Sequence, residues 1–155
     1  MKFRSLPLAL AALAPYADAS AQASPQFDIR TAPVAAGSWS YRATASGSEA
    51  AFMDAGTVRR LVVRCTRMTR TVSLSMTSTV TAPMVTVLTT DTGRLLPVRF
   101  DRQAFQLIAD VPAGDPLLDA LAFSRGRVAL SISGLPPLVV PAWAEPARVV
   151  EDCRS

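Results

Sequence analysis

Histidine and asparagine are absent from this sequence, and lysine occurs once, as Lys2. Without an imidazole there is no Ser–His or Cys–His pair, no HExxH zinc helix and no side chain that titrates unperturbed near neutrality. Without a lysine beyond position 2, Schiff-base and Ser–Lys mechanisms have nothing to work with. Cysteine is scarce too: Cys65 and Cys153 are the whole complement, and nothing resembles the CxxC spacing of a redox-active pair. The seven glycines never reach the GxxxxGK or GxGxxG spacing that cradles a phosphate. What is present is 155 residues that are 50% hydrophobic and 18% charged, enough for one small domain around a single core.

Residues 1–23 fall into three zones. Lys2 and Arg4 form a positive start, Leu6 to Tyr16 an apolar stretch, and Ala21-Gln22-Ala23 a small-x-small cleavage motif. This order predicts an export signal, cut after Ala23, with Ala17-Asp18-Ala19 and Ala19-Ser20-Ala21 as rival sites. An apolar stretch of about 11 residues falls short of the roughly 20 that span a bilayer, so no transmembrane anchor is expected. No cysteine follows the cut to carry a lipid. The expected location is therefore periplasmic or secreted. In such an oxidising compartment an even, minimal pair of cysteines predicts one disulfide, Cys65–Cys153. Closing that long loop is worth on the order of 4–5 kcal/mol in the chain-entropy picture.

After the signal, residues 24–38 carry no periodicity and read as an irregular arm. From Trp39 the period is two: Trp39, Tyr41 and Ala43 alternate with polar residues, and Ala50 to Met53 returns after a Ser46-Gly47-Ser48 turn. In Arg59 to Thr66, Leu61, Val63 and Cys65 share one face, while Arg60, Val62 and Arg64 share the other. Val72, Leu74 and Met76 alternate next, then Val85, Val87 and Thr89. Asp91-Thr92-Gly93 turns into Leu96, Val98 and Phe100, and beyond Asp101-Arg102-Gln103 follow Phe105, Leu107 and Ala109. Val128, Leu130 and Ile132, then Leu138 to Val140, complete about eight or nine strands.

Two segments change period. Asp115 followed by Pro116 and apolar residues at 117, 118 and 121 predicts a capped short helix. Trp143 to Cys153 reads as a C-terminal helix with Ala147, Val150 and Cys153 at helical spacing. The whole predicts an all-β antiparallel sandwich or flattened barrel with these two short helices, as one domain over residues 39–155. Its core is expected to hold Leu61, Val63, Val72, Leu74, Val85, Val87, Val128 and Leu130. Trp39 and Trp143 are also expected in the core, carbohydrate stacking being the other use of such residues.

The strongest charge signal is Arg59, Arg60, Arg64, Arg67 and Arg70, five arginines in twelve positions without an acid. Two readings stand side by side: a guanidinium patch for phosphate, sulfate or carboxylate groups of a polyanionic envelope component, or a solvated strand face. Nucleic acid is not expected, since the cluster has no interleaved aromatics. Asp110, Asp115 and Asp119 lack the glycine-bearing acidic loop of a calcium site, so no metal or other cofactor is expected. Ser124-Arg125-Gly126-Arg127 is a polar island whose serine has no base to activate it, and it reads as a turn into the Val128 strand. Glu151 and Asp152 are adjacent and so point to different sides of a helix.

Residues 114–127, with Leu138-Val139-Val140-Pro141-Ala142-Trp143-Ala144-Glu145 and Arg148-Val149-Val150-Glu151-Asp152-Cys153-Arg154, resemble small secreted proteins of sphingomonad-type alphaproteobacteria. More remotely, an exported β-sandwich with one cysteine in a central strand and one near the C-terminus is similar to the invasion-associated locus B family. Neither resemblance implies an activity or a catalytic residue. Scaffold residues without reactive ones point to a non-catalytic exported module that binds or assembles with an envelope protein or polyanion. The alternative is a carboxylate-dependent enzyme acting on envelope glycans through Asp115, Asp119 or Glu145.

Overall fold

A computed structural model describes residues 27–155; the expected export signal, residues 1–23, lies outside them. Two antiparallel sheets face each other. The larger has the order β1-β2-β3-β4-β8-β7, built from β1 (Gly37–Thr44), β2 (Gly47–Asp54), β3 (Arg59–Thr66), β4 (Thr71–Thr77), β7 (Arg99–Asp101) and β8 (Gln106–Pro112). The smaller has the order β10-β9-β5-β6, from β5 (Met84–Leu88), β6 (Gly93–Pro97), β9 (Arg127–Ser131) and β10 (Leu138–Pro141). The expected alternation places Leu61, Val63, Val72 and Leu74 of one sheet against Val85, Val87, Val128 and Leu130 of the other, all buried. Two sheets with separate edges make this a sandwich and not a closed barrel.

The helices close one end. Asp115 caps α1 (Pro116–Ala122) by accepting from the Leu117 amide at 2.8 Å, and Pro116 occupies the first turn, as the sequence predicts. The C-terminal α2 (Ala144–Arg154) buries Val149, Val150 and Cys153 against α1 and the larger sheet. Cys65 and Cys153 form the expected disulfide, with α-carbons 5.4 Å apart. The β1–β2 hairpin comes so close to that bridge that a Cβ on Gly47 would lie 2.4 Å from the Cys65 carbonyl oxygen. Only glycine fits there.

Three expectations change. The run Leu96, Val98, Phe100 is not one strand: β6 ends at Pro97, which has no N–H to extend a ladder, and after Val98 the chain joins the other sheet as β7. Phe105 belongs to the β7–β8 turn, with φ of 52° and its side chain largely exposed, so β8 starts only at Gln106. Trp143 is half exposed ahead of α2, whereas Trp39 is buried and donates to the Pro141 carbonyl at 2.8 Å, joining β1 to β10. The described part of the arm is irregular but seated. Ile29 and Ala32 pack on Ala129 and Val139, the outer face of the smaller sheet, and the Ala35 amide donates to Val139.

Candidate functional site

The five clustered arginines do not form one patch. The alternation that should place Arg60 beside Arg64 is interrupted by a bulge, where the register slips between Phe52 and Met53 and Met53 pairs with Arg59. Arg59 therefore joins Arg64 on the outer face of the larger sheet. Arg60 turns to the far end of the sandwich, where it meets Asp54 at 3.6 Å and lines a cavity with Met76, Leu130 and Ile132. Arg67 and Arg70 lie in the turn between β3 and β4, where Arg70 adopts the left-handed conformation, φ 49°. They donate to the Asp152 and Arg154 carbonyls, at 3.4 and 2.7 Å, and so cap the end of α2.

What gathers on the outer face is a group the charge run does not reveal. Cross-strand register sets Arg42 opposite Glu49 and Glu49 opposite Arg64, with Arg59 reaching in from the bulge. Glu49 Oε1 accepts from Arg42 at 3.1 and 2.9 Å and from Arg59 at 3.1 Å, while Oε2 accepts from both Nε and Nη2 of Arg64. The Glu49 side chain is 1% exposed, yet those of Arg42, Arg59 and Arg64 are 61%, 41% and 49% exposed. The guanidiniums thus roof the carboxylate and keep their own outer edges in water. Burial works to raise the Glu49 carboxyl, but hydrogen bonds and charge from Arg64 and Arg42 outweigh it and hold the group below its ordinary value.

Arg59 and Arg64 open onto a groove of about 510 Å³ that crosses β3, β4 and β8 to reach β7. Val62 and Ile108 make an apolar floor, Ser73 and Ser75 add hydroxyls, and Arg99 and Gln106 stand on the far wall. The polar row continues there, with Ser73 donating to Asp110 at 2.6 Å and Arg99 meeting Asp110 at 3.5 Å. Three guanidiniums offer about fifteen N–H donors, and Glu49 takes five hydrogen bonds from them. Of the three, Arg59 and Arg64 border the groove, where Arg99 adds a cation and Asp101 an acid, and the donors that Glu49 leaves free there suit anionic groups laid along it.

The carboxylates considered for catalysis are engaged elsewhere. Asp115 makes a two-pronged pair with Arg94 at 2.7 and 2.8 Å, and those hydrogen bonds hold its carboxyl below the usual range. Asp119 pairs with Arg154 at 2.6 Å, and Glu145 sits in the first turn of α2. Asp152 accepts from the Tyr41 hydroxyl at 2.6 Å, and Arg148, rather than meeting an acid of its own helix, lies 4.1 Å from the centre of the Tyr41 ring. Burial acts to raise the Asp152 carboxyl, but the Tyr41 bond and the charges of Arg148 and Arg67 bring it below normal. Among the described residues no three of His, Cys, Asp and Glu come together as a metal-holding group, and no helix is long and apolar enough to cross a membrane.

Glu49, Arg42 and Arg99 escape a reading based on charge runs because none of them belongs to a run of like charge. The available signal was the hairpin: with Trp39 and Tyr41 pointing inward, Arg42 points outward, and a turn at Ala45-Ser46 sets it against Glu49. Comparison with family models, with curated proteins and with solved structures found no match to this chain.

Proposed function

We propose that this protein is a non-catalytic, exported binding module whose larger sheet offers its outer face to a polyanionic component of the cell envelope. One observation carries the reading: Arg42, Arg59 and Arg64 are held in place by a single buried carboxylate, and the latter two keep surplus donors beside a groove with an apolar floor. Guanidiniums fixed in this way lose little side-chain freedom when an anion arrives, so more of the interaction is kept as affinity. The disulfide supports the location, since such bonds persist in oxidising compartments. The residues named for glycan hydrolysis support the enzyme reading less well, because Asp115 and Asp119 are each bound to a different arginine.

Retention on a heparin column, as a generic polyanion, tests the proposal. Arg59→Gln with Arg64→Gln should elute at lower salt and show a shallower dependence on ionic strength than wild type. Arg60→Gln with Arg70→Gln, which removes the same charge at residues that do not line the groove, should elute close to wild type. Equal losses in the two double variants would reduce the groove to net charge alone and overturn the reading.

A further inference from the structure

A second group of arginines lies on the smaller sheet, and it does not depend on the reading of the groove. Arg30 from the N-terminal arm, Arg125 from the turn before β9 and Arg127 at the start of β9 line a cavity of about 280 Å³ together with Thr90 and Asp91. Gly126, at φ 81°, bends the chain between Arg125 and Arg127 so that both border the same space. Among the described residues, none of the three guanidiniums has a carboxylate oxygen within 4.0 Å.

The walls are nevertheless fixed. The buried Ser124 hydroxyl accepts from the Thr90 amide at 3.1 Å and donates to the Arg127 carbonyl, and the Thr90 hydroxyl accepts from the Arg125 amide at 3.1 Å. The buried Thr89 hydroxyl accepts from the amides of Asp91 and Thr92 at 3.3 and 3.0 Å. Arg127 Nε donates to the Ala32 carbonyl at 3.0 Å, which orients that guanidinium and ties the arm to the site. Three cations and one aspartate on this hydrogen-bonded frame give the cavity lining a surplus of two positive charges.

We propose that this cavity binds a phosphate-type oxyanion, either free in solution or carried on a lipid headgroup. The charge of a phosphate or phosphomonoester, roughly one to two negative at neutral pH, matches the surplus, and its tetrahedral oxygens can take forked hydrogen bonds from several guanidiniums at once. The cavity leaves room for the atom that carries the group.

The test is an NMR titration of the protein with inorganic phosphate at constant ionic strength, reading the amides of Arg125, Gly126 and Arg127. Saturable shifts are expected, with affinity weakened at least about tenfold in Arg30→Gln with Arg125→Gln, as loss of charge-assisted hydrogen bonds implies. Neither of those side chains makes a hydrogen bond among the described residues, so the fold should survive. Asp91→Asn should tighten binding, and Arg60→Gln with Arg102→Gln, which removes the same two charges as the double variant but elsewhere, should leave it alone. Flotation with phosphatidylcholine vesicles, with and without phosphatidic acid, separates the two sources. Capture by phosphatidic acid that requires Arg30 and Arg125 identifies a headgroup, and phosphate binding without such capture identifies a free ligand. Shifts that chloride reproduces, or an affinity that the double variant keeps, would overturn the site.

Discussion

The protein displays two triads of arginine, one on the outer face of each sheet, and they differ in what stands between the charges. Around Glu49 the answer is a buried carboxylate, delivered by cross-strand register on regular strands. Around Arg125 no carboxylate among the described residues comes within ion-pair reach; the frame is made of turns laced by Ser124, Thr90 and Thr89 hydroxyls. Like charges can be assembled by supplying an internal counter-charge, which contributes to stability, or by holding the backbone with neutral hydrogen bonds and leaving the charge for solvent or a ligand. The first triad is part of the fold's own electrostatics, and the second leaves that role open.

The largest expected effect concerns the floor beneath the first triad. Cys65 follows Arg64 in β3, and its bond to Cys153 pins that strand from the inner face. Cys65→Ser and Cys153→Ser should each cost about 3–5 kcal/mol in denaturant unfolding, and the double variant should be little worse, because either change removes the same bond. Additive losses would separate the two cysteines and detach the triad from α2.

Glu49→Gln would turn the first triad into the second kind. It should cost about 1–3 kcal/mol, less than a fully buried pair because the arginines are partly in water, and it should raise heparin retention by freeing guanidinium donors. Because the Glu49 carboxyl sits below its ordinary value of 4.5 in the folded protein, its contribution is fully present above that pH and is lost as pH falls through the depressed value. Acid unfolding followed by circular dichroism should therefore be less steep for the variant. An unchanged acid limb would mean that the three arginines do not stabilise the carboxylate.

Ser124→Ala removes the lacing of the second triad and should cost about 1–2 kcal/mol, the range for leaving a buried amide unpaired. Phosphate affinity should fall with it while heparin retention through the groove is kept. The smallest effect is expected from Arg67→Ala and Arg70→Ala, about 0.3–1 kcal/mol each, since they meet carbonyls at the exposed end of α2. If either variant loses as much heparin retention as the Arg59/Arg64 pair, the five arginines act together after all and the division drawn from the bulge fails.

How far the sequence could be read follows from which interactions are local. Alternation is a property of neighbours in the chain, so Leu61, Val63, Val72, Leu74, Val128 and Leu130 were legible as core, and Asp115-Pro116 was legible as a helix start because its hydrogen bond spans two residues. The Cys65–Cys153 bond was legible for a different reason: with two cysteines there is only one pairing to make. The split between β6 and β7 was half legible, since Pro97 marked the break but not the change of sheet. None of this required knowing which strands are neighbours.

The charged surfaces did require it. A run of arginines fixes the amount of charge in β3 and the following turn, but the bulge opposite Met53 decides that Arg59 and not Arg60 shares a face with Arg64. Glu49 carries no mark in its own strand, and it becomes the centre of a triad only because antiparallel pairing sets Arg42 on one side of it and Arg64 on the other. Arg30 and Arg125 stand far apart in the chain and share a cavity because the arm crosses the outer face of the smaller sheet. The sequence by itself determined the pleat, the core and the one possible disulfide, all of which follow from near neighbours or from counting. Which charges meet was decided by register and sheet order, since electrostatic energy depends on distance in space and the chain's order does not contain it.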